Sequence, residues 1–257
     1  MLIVIVILGF AAWLSHIGYF GGQLYFAIPA KPVRTQPSRA VAVLFSGDMG
    51  FRVGMGPRIA SRLAADGIPV LGVSSLVYFR HERTPADVGR LIDDAARHAL
   101  AFARADRLIL IGQSFGADML QVGAQGLPRD LRARVQLVAL VVPGDTVIYR
   151  ASPAELFNWA KPDARALPTA RRLTWAPVIC VRGIEERDSL CPQLDLPNVR
   201  QVALPGGHPL HYDADALYAA LKAGIAATNI TKSSRSGHLA ESRFAPGESP
   251  RNWSTGR

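Results

Sequence analysis

Cysteine is nearly absent. The 257-residue chain has two, Cys180 and Cys191, and contains neither a C-x-x-C nor an H-E-x-x-H pattern. A structural zinc site needs three or four closely spaced soft ligands, and a zincin needs paired histidines on one helix. Both are excluded, and the residues call for no metal and no cofactor. Runs of one charge are also missing. The formal net charge is +9, yet Lys and Arg are scattered, with Arg171–Arg172 the tightest pair. No basic stretch carries interleaved aromatics and no nucleic-acid module is recognisable, so nucleic acid is not an expected partner. The basic balance suits an anionic membrane surface instead. There is no internal repeat and no room for a large lid.

Residues 2–14 (LIVIVILGFAAWL) are apolar without a break, and after Ser15 and His16 comes IGYFGG. Such a stretch of ~20 mostly apolar residues is about enough to cross a bilayer as one helix. A cleavable signal peptide usually has a basic start and an A-x-A-like cleavage site. Here no Lys or Arg precedes the run, and AIPA at 27–30 is a poor site. An uncleaved membrane anchor over 1–28 is therefore expected, with a signal segment as the alternative. Residues 29–39 (PAKPVRTQPSR) read as a Pro-rich linker. Ten residues separate the two cysteines. In an exported domain they would form a disulfide worth about 3 kcal/mol, and in a cytosolic one they would be two reduced thiols.

Six short β-branched runs occupy 40–45, 68–73, 107–111, 135–142, 177–182 and 199–204. They are apolar on nearly every residue, as strands covered on both faces of a parallel sheet must be. Helical stretches at 55–65, 85–105, 115–125, 153–159 and 213–225 alternate with them. Pro85 suits a first-turn position after Thr84 as N-cap. The alternation predicts an α/β fold over 40–225, a minimal doubly wound and mostly parallel sheet of about six strands. Residues 226–257 are rich in Ser, Thr, Arg, Gly and Pro with no apolar period, and read as a disordered tail.

The strongest chemical signal is Gly112-Gln113-Ser114-Phe115-Gly116. A predicted strand precedes it and a predicted helix follows, the context of a nucleophile elbow in the α/β-hydrolase fold. Glycines on either side leave room for a tight strand-to-helix turn, and the helix start points free N–H groups at developing negative charge. In that fold an acid and then a histidine follow along the chain. Acidic residues lie just past the strand at 177–182, in Gly183-Ile184-Glu185-Glu186-Arg187-Asp188. Asp188 is favoured as the acid that orients the imidazole, with Glu186 as the alternative. His208, after paired glycines past the last strand, fits the general base, with His211 close by. The turn Phe45-Ser46-Gly47-Asp48-Met49-Gly50 ends the first strand. Backbone donors at Met49 and Phe115 would form the oxyanion hole. Asp48 would bind a cationic substrate group or cap the following helix, and Glu185 is a second candidate for the cation.

On these residues the chain resembles the bacterial virulence protein VirJ family, which includes the AcvB proteins. The matching stretches are SGDMGF (46–51), SSLVYFRHERTP (74–85), IGQSFGADML (111–120), ERDSLCP (186–192) and PGGHPLHYD (205–213). The resemblance implies a periplasmic or periplasm-facing α/β-hydrolase linked to virulence and type IV secretion, with secretion-system proteins as partners. AcvB-type members are regarded as hydrolases of lysyl-phosphatidylglycerol, so an aminoacyl phospholipid or another small ester is the implied substrate. Carried over by motif, Ser114, His208 and Asp188 form the triad, and Asp118 also matches. Met49 departs from the family's SGDGG, and Pro209 replaces a second histidine common after GGH. Two rival readings are a non-catalytic periplasmic factor and a generic lipase or thioesterase.

Overall fold

The structure is a computed structural model describing residues 2–32, 39–151 and 161–241, with side chains of the last helix described to residue 228. Seven strands form one sheet in the order β1-β3-β2-β4-β5-β8-β9. They are β1 (Tyr25–Ile28), β2 (Ala40–Phe45), β3 (Val70–Val73), β4 (Arg107–Gln113), β5 (Val135–Val141), β8 (Val178–Gly183) and β9 (Val199–Leu204); a separate two-stranded ribbon joins β6 (Thr146–Val147) to β7 (Ala164–Arg165). All large-sheet pairings are parallel except β1 with β3. The helices, in chain order, are α1 (Leu2–Ile17), α2 (Gly56–Ala65), α3 (Ser75–Phe79), α4 (Pro85–Ala103), α5 (Phe115–Ala124), α6 (Arg129–Arg132), α7 (Leu167–Ala170) and α8 (Ala214–Glu241).

Strands β2 to β5 and β8 are buried almost throughout, because helices cover both faces. Side chains alternate between two cores. Val41, Val43 and Phe45 join α3, α4 and α5 on one face, and Ala40, Ala42 and Leu44 join α2 and α8 on the other. Each fully buried Leu, Ile or Phe contributes roughly 1.5–3 kcal/mol, so these strands dominate the stability of the fold. Thr84 caps α4 as read from sequence, forming a capping box with Asp87, with Pro85 in the first turn.

Several expectations are revised or lie outside the described residues. Residues 25–28, placed within the anchor, are an edge strand. Their pairing with β3 is long-range, and their apolar residues continue the preceding run. The preceding helix stops at Ile17, where Gly18 (φ +96°) reverses the chain. The amides of Gly18 and Tyr19 bond back to Ser15 (3.1 Å) and Leu14 (2.9 Å), a Schellman-type end. Sixteen residues rise about 24 Å, and among the described residues no helix is long and apolar enough to cross a membrane. The last helix continues to Glu241, so residues 226–241 are helical where a disordered tail is predicted. The predicted helix at 153–159 and residues 242–257 lie outside the described residues. Finally, β9 is half exposed because it forms the far edge of the sheet.

Candidate active site

Ser114 sits on the turn between β4 and α5, at φ +54°, ψ −126°. That region is sparsely populated for any residue with a side chain, costing about 1–3 kcal/mol, and it persists because the surroundings fix it. The glycines explain how. A Cβ on Gly112 would lie 2.6 Å from the Cα of Ala117, and one on Gly116 would lie 2.7 Å from the carbonyl carbon of Phe45. Backbone therefore meets backbone on both sides of the serine. The Ser114 amide donates to the Val141 carbonyl at 2.8 Å, and its own carbonyl accepts from Ala117 at 2.7 Å. The serine hydroxyl is left projecting into the cleft.

The Oγ of Ser114 lies 2.7 Å from Nε2 of His208, and Nδ1 of His208 lies 2.6 Å from Oε1 of Glu186. A serine, an imidazole and a carboxylate thus form one continuous relay. Glu186 is 8% exposed and His208 half exposed, so the carboxylate is shielded while the imidazole faces the cleft. Asp188, the favoured acid, does not reach the ring. The chain turns sharply after β8: the Glu186 amide donates to Gly183 (3.2 Å), and the Gly183 amide donates to Oε2 of Glu186 (3.2 Å). Gly183 allows this, since a Cβ there would sit 2.7 Å from the carbonyl carbon of Gly207. The turn therefore lies against Gly206-Gly207-His208. Three residues past Glu186, Ser189 forms a bridge with Gly144, and the Asp188 carbonyl accepts from the Asp145 amide at 2.8 Å. Asp188 is exposed and outside the cleft lining. The Cys180–Cys191 disulfide joins β8 to the far end of this loop.

His211, the other candidate base, packs its ring on Gly206, where a Cβ would meet Cδ2 at 2.7 Å. It lies in a run of three residues, Leu210 to Tyr212, all at φ near +50°. This left-handed turn begins two residues after His208, and Tyr212 at its end lines the cleft.

The cleft encloses about 500 Å³ and includes the 46–50 turn, Ser114, Phe115 and His208 in its lining. Phe115 opens α5, so its amide has no carbonyl within the helix to bond and is placed to donate. Met49 also lines the cleft, beside Asp48. Burial raises the Asp48 carboxyl above the ordinary carboxylate range. The amides of Met49 and Asp48 and the nearby His208 offset this only in part. Ser46 anchors the turn, its Oγ accepting from the Ser75 amide (3.0 Å) and its carbonyl from the Ser75 hydroxyl (2.6 Å). Asp118 lines the cleft and accepts from the Gly144 amide at 2.8 Å, holding the loop after β5. Sequence pattern missed this role, as it missed Val142, a cleft residue at φ +47°. Glu185 is exposed and outside the cleft lining. Among the described residues no group of three or more His, Cys, Asp or Glu side chains could hold a metal.

A mostly parallel, doubly wound sheet with a serine on the turn after its central strand is the α/β-hydrolase fold. The chain belongs to the bacterial virulence protein (VirJ) family, whose model matches residues 39–229. A comparison with curated protein sequences finds no match. Among solved structures, the chain is similar to Est1E from Butyrivibrio proteoclasticus (13% identity over 79% of this chain and 94% of that one, TM-score 0.56). It is also similar to a proline iminopeptidase from Mycobacterium smegmatis (14% identity, 81% and 95% covered, TM-score 0.56). A third is XC6422 from Xanthomonas campestris, described as a serine hydrolase without a lid (16% identity, 78% and 87% covered, TM-score 0.51). At such identities these likenesses show the fold alone.

Proposed function

We propose that this chain is a serine hydrolase of carboxylic esters, with Ser114 as nucleophile, His208 as base and Glu186 as the acid that orients it. The observation that carries this reading is the unbroken Ser114–His208–Glu186 relay at hydrogen-bonding distance. Ser114 Oγ attacks the ester carbonyl while His208 Nε2 takes its proton. The same nitrogen returns the proton to the departing alcohol oxygen, leaving an acyl-serine. Water, deprotonated by His208, then attacks the acyl carbon; the acyl–Oγ bond breaks as His208 returns that proton to Ser114, and the acid is freed. Glu186 holds Nδ1–H and steadies the imidazolium. The Phe115 amide meets the developing oxyanion. The Met49 amide, on the turn across the cleft, is the second donor in this reading.

For the substrate we propose the aminoacyl ester of lysyl-phosphatidylglycerol, at the envelope face of a membrane. Family resemblance supports this, as does charge. Among the described residues the cleft is lined by Asp48 and Asp118 and by no Lys or Arg, in a chain of net charge +9. Such a lining favours a cationic ester over an anionic one. The link to type IV secretion rests on family membership and is proposed with it.

The test is release of lysine from lysyl-phosphatidylglycerol vesicles by the full chain, alongside labelling by a fluorophosphonate. Both should vanish in Ser114→Ala. Labelling without lysine release would move the substrate to another ester. A folded protein that does neither would be a binding factor.

A further inference from the structure

Helix α1 is apolar on every side. Ile3, Val4, Ile5, Val6, Ile7 and Leu8 are each more than half exposed, and Asp, Glu, Lys and Arg are absent from the helix. Six consecutive residues, turning about 100° each, sweep the whole circumference. A groove on a protein partner covers one stripe of a helix, whereas lipid covers all of it.

The base of this helix is built into the domain. Ile17 is 5% exposed within the core on the α4–α5 face, and Leu14 and Tyr19 pack against the same cluster. Topology then fixes which edge of the sheet it meets. β1 is antiparallel to its neighbour, with Tyr25 opposite Val73 at the C-terminal end of β3. Ser114 follows the C-terminal end of β4, which is parallel to β2 and β3. Reversal of one strand therefore brings the end of α1 to the edge that carries the serine. The two meet at Gly50: it lines the cleft, and a Cβ there would lie 2.8 Å from the Ile17 carbonyl oxygen. Two guanidinium groups flank the junction. Arg52 lies 5.2 Å over the ring of Phe26, and Arg80 lies beside Gly21.

We infer that α1 is buried in a lipid bilayer and that the Ser114 cleft opens toward the same bilayer, with Arg52 and Arg80 at the level of the lipid phosphates. The ester taken by the cleft is then carried by a lipid of that leaflet rather than drawn from solution. The identity of the substrate rests on the hydrolase reading; the orientation does not.

Amide hydrogen exchange on the full chain, with and without phosphatidylglycerol–phosphatidylethanolamine vesicles, tests the orientation. Residues 46–55 and 207–213 should exchange roughly ten-fold more slowly with vesicles. The turns at the opposite sheet edge, residues 64–69, 104–106 and 132–134, should not change. Failure of the full chain to bind vesicles would overturn the inference, as would slowing confined to the opposite edge or unchanged exchange at 46–55 and 207–213. Ser114→Ala should show the same protection. Protection in both proteins without release of any lipid-borne acid would retain the orientation and remove the hydrolase reading.

Discussion

The turn after β8 aims one of the two candidate acids at the imidazole. Glu186 and Asp188 stand two residues apart in an exposed loop, and sequence spacing favours neither. In the fold, Glu186 bonds both to His208 Nδ1 and to the Gly183 amide, whereas Asp188 is exposed and outside the cleft lining. Glu186→Gln should lower kcat/KM on the order of 1,000- to 10,000-fold, as loss of the orienting carboxylate does in serine proteases. Asp188→Asn should stay within a few-fold of the parent, and steady-state kinetics on one soluble ester will check both. Asp48 gives a second expectation. Because burial raises its carboxyl, the folded chain holds that proton more tightly than the unfolded chain. Stability therefore falls as pH rises from the ordinary carboxylate value through the raised one. Asp48→Asn should melt higher than the parent near neutral pH, and the gain should disappear below about pH 4. Equal melting temperatures across that range would remove Asp48 as a source of instability.

At the scale of elements, legibility followed sequence locality. The elbow, the capped α4 and the buried parallel strands are written in neighbouring residues, and Ser114 and His208 could be picked out from them. What depends on distant pairing was hidden. Nothing near 25–28 announces its partnership with β3, and nothing near Asp118 announces that its carboxylate takes the Gly144 amide. The acid loop belongs to this second kind. It is pinned to the β5 loop by the Gly144–Ser189 bridge and to β8 by the disulfide. Replacing both cysteines with alanine should cost about 3 kcal/mol in denaturant unfolding, by the loop-closure account. A midpoint unchanged in urea would mean that the backbone pins alone hold the loop.

For the whole molecule, β1 is the element that closes the sheet on one side. Without it, the outer edge of β3 presents unpaired amides and carbonyls, an invitation to pair with another chain. A chain beginning at residue 31 should therefore associate in size-exclusion chromatography, and one beginning at residue 23 should run as a smaller species. Identical elution of the two would show that β3 does not need its cover.

The elbow glycines bear on how relatives of this chain are to be sorted. Positions 112 and 116 admit only hydrogen as a side chain because main chain crosses main chain there, whatever the serine does. A descendant that lost its chemistry but kept its shape would still need both. Drift would erase Ser114, His208 and Glu186 first and leave the two glycines standing. The glycine pair is thus a fossil of architecture, and the three polar side chains are the record of use.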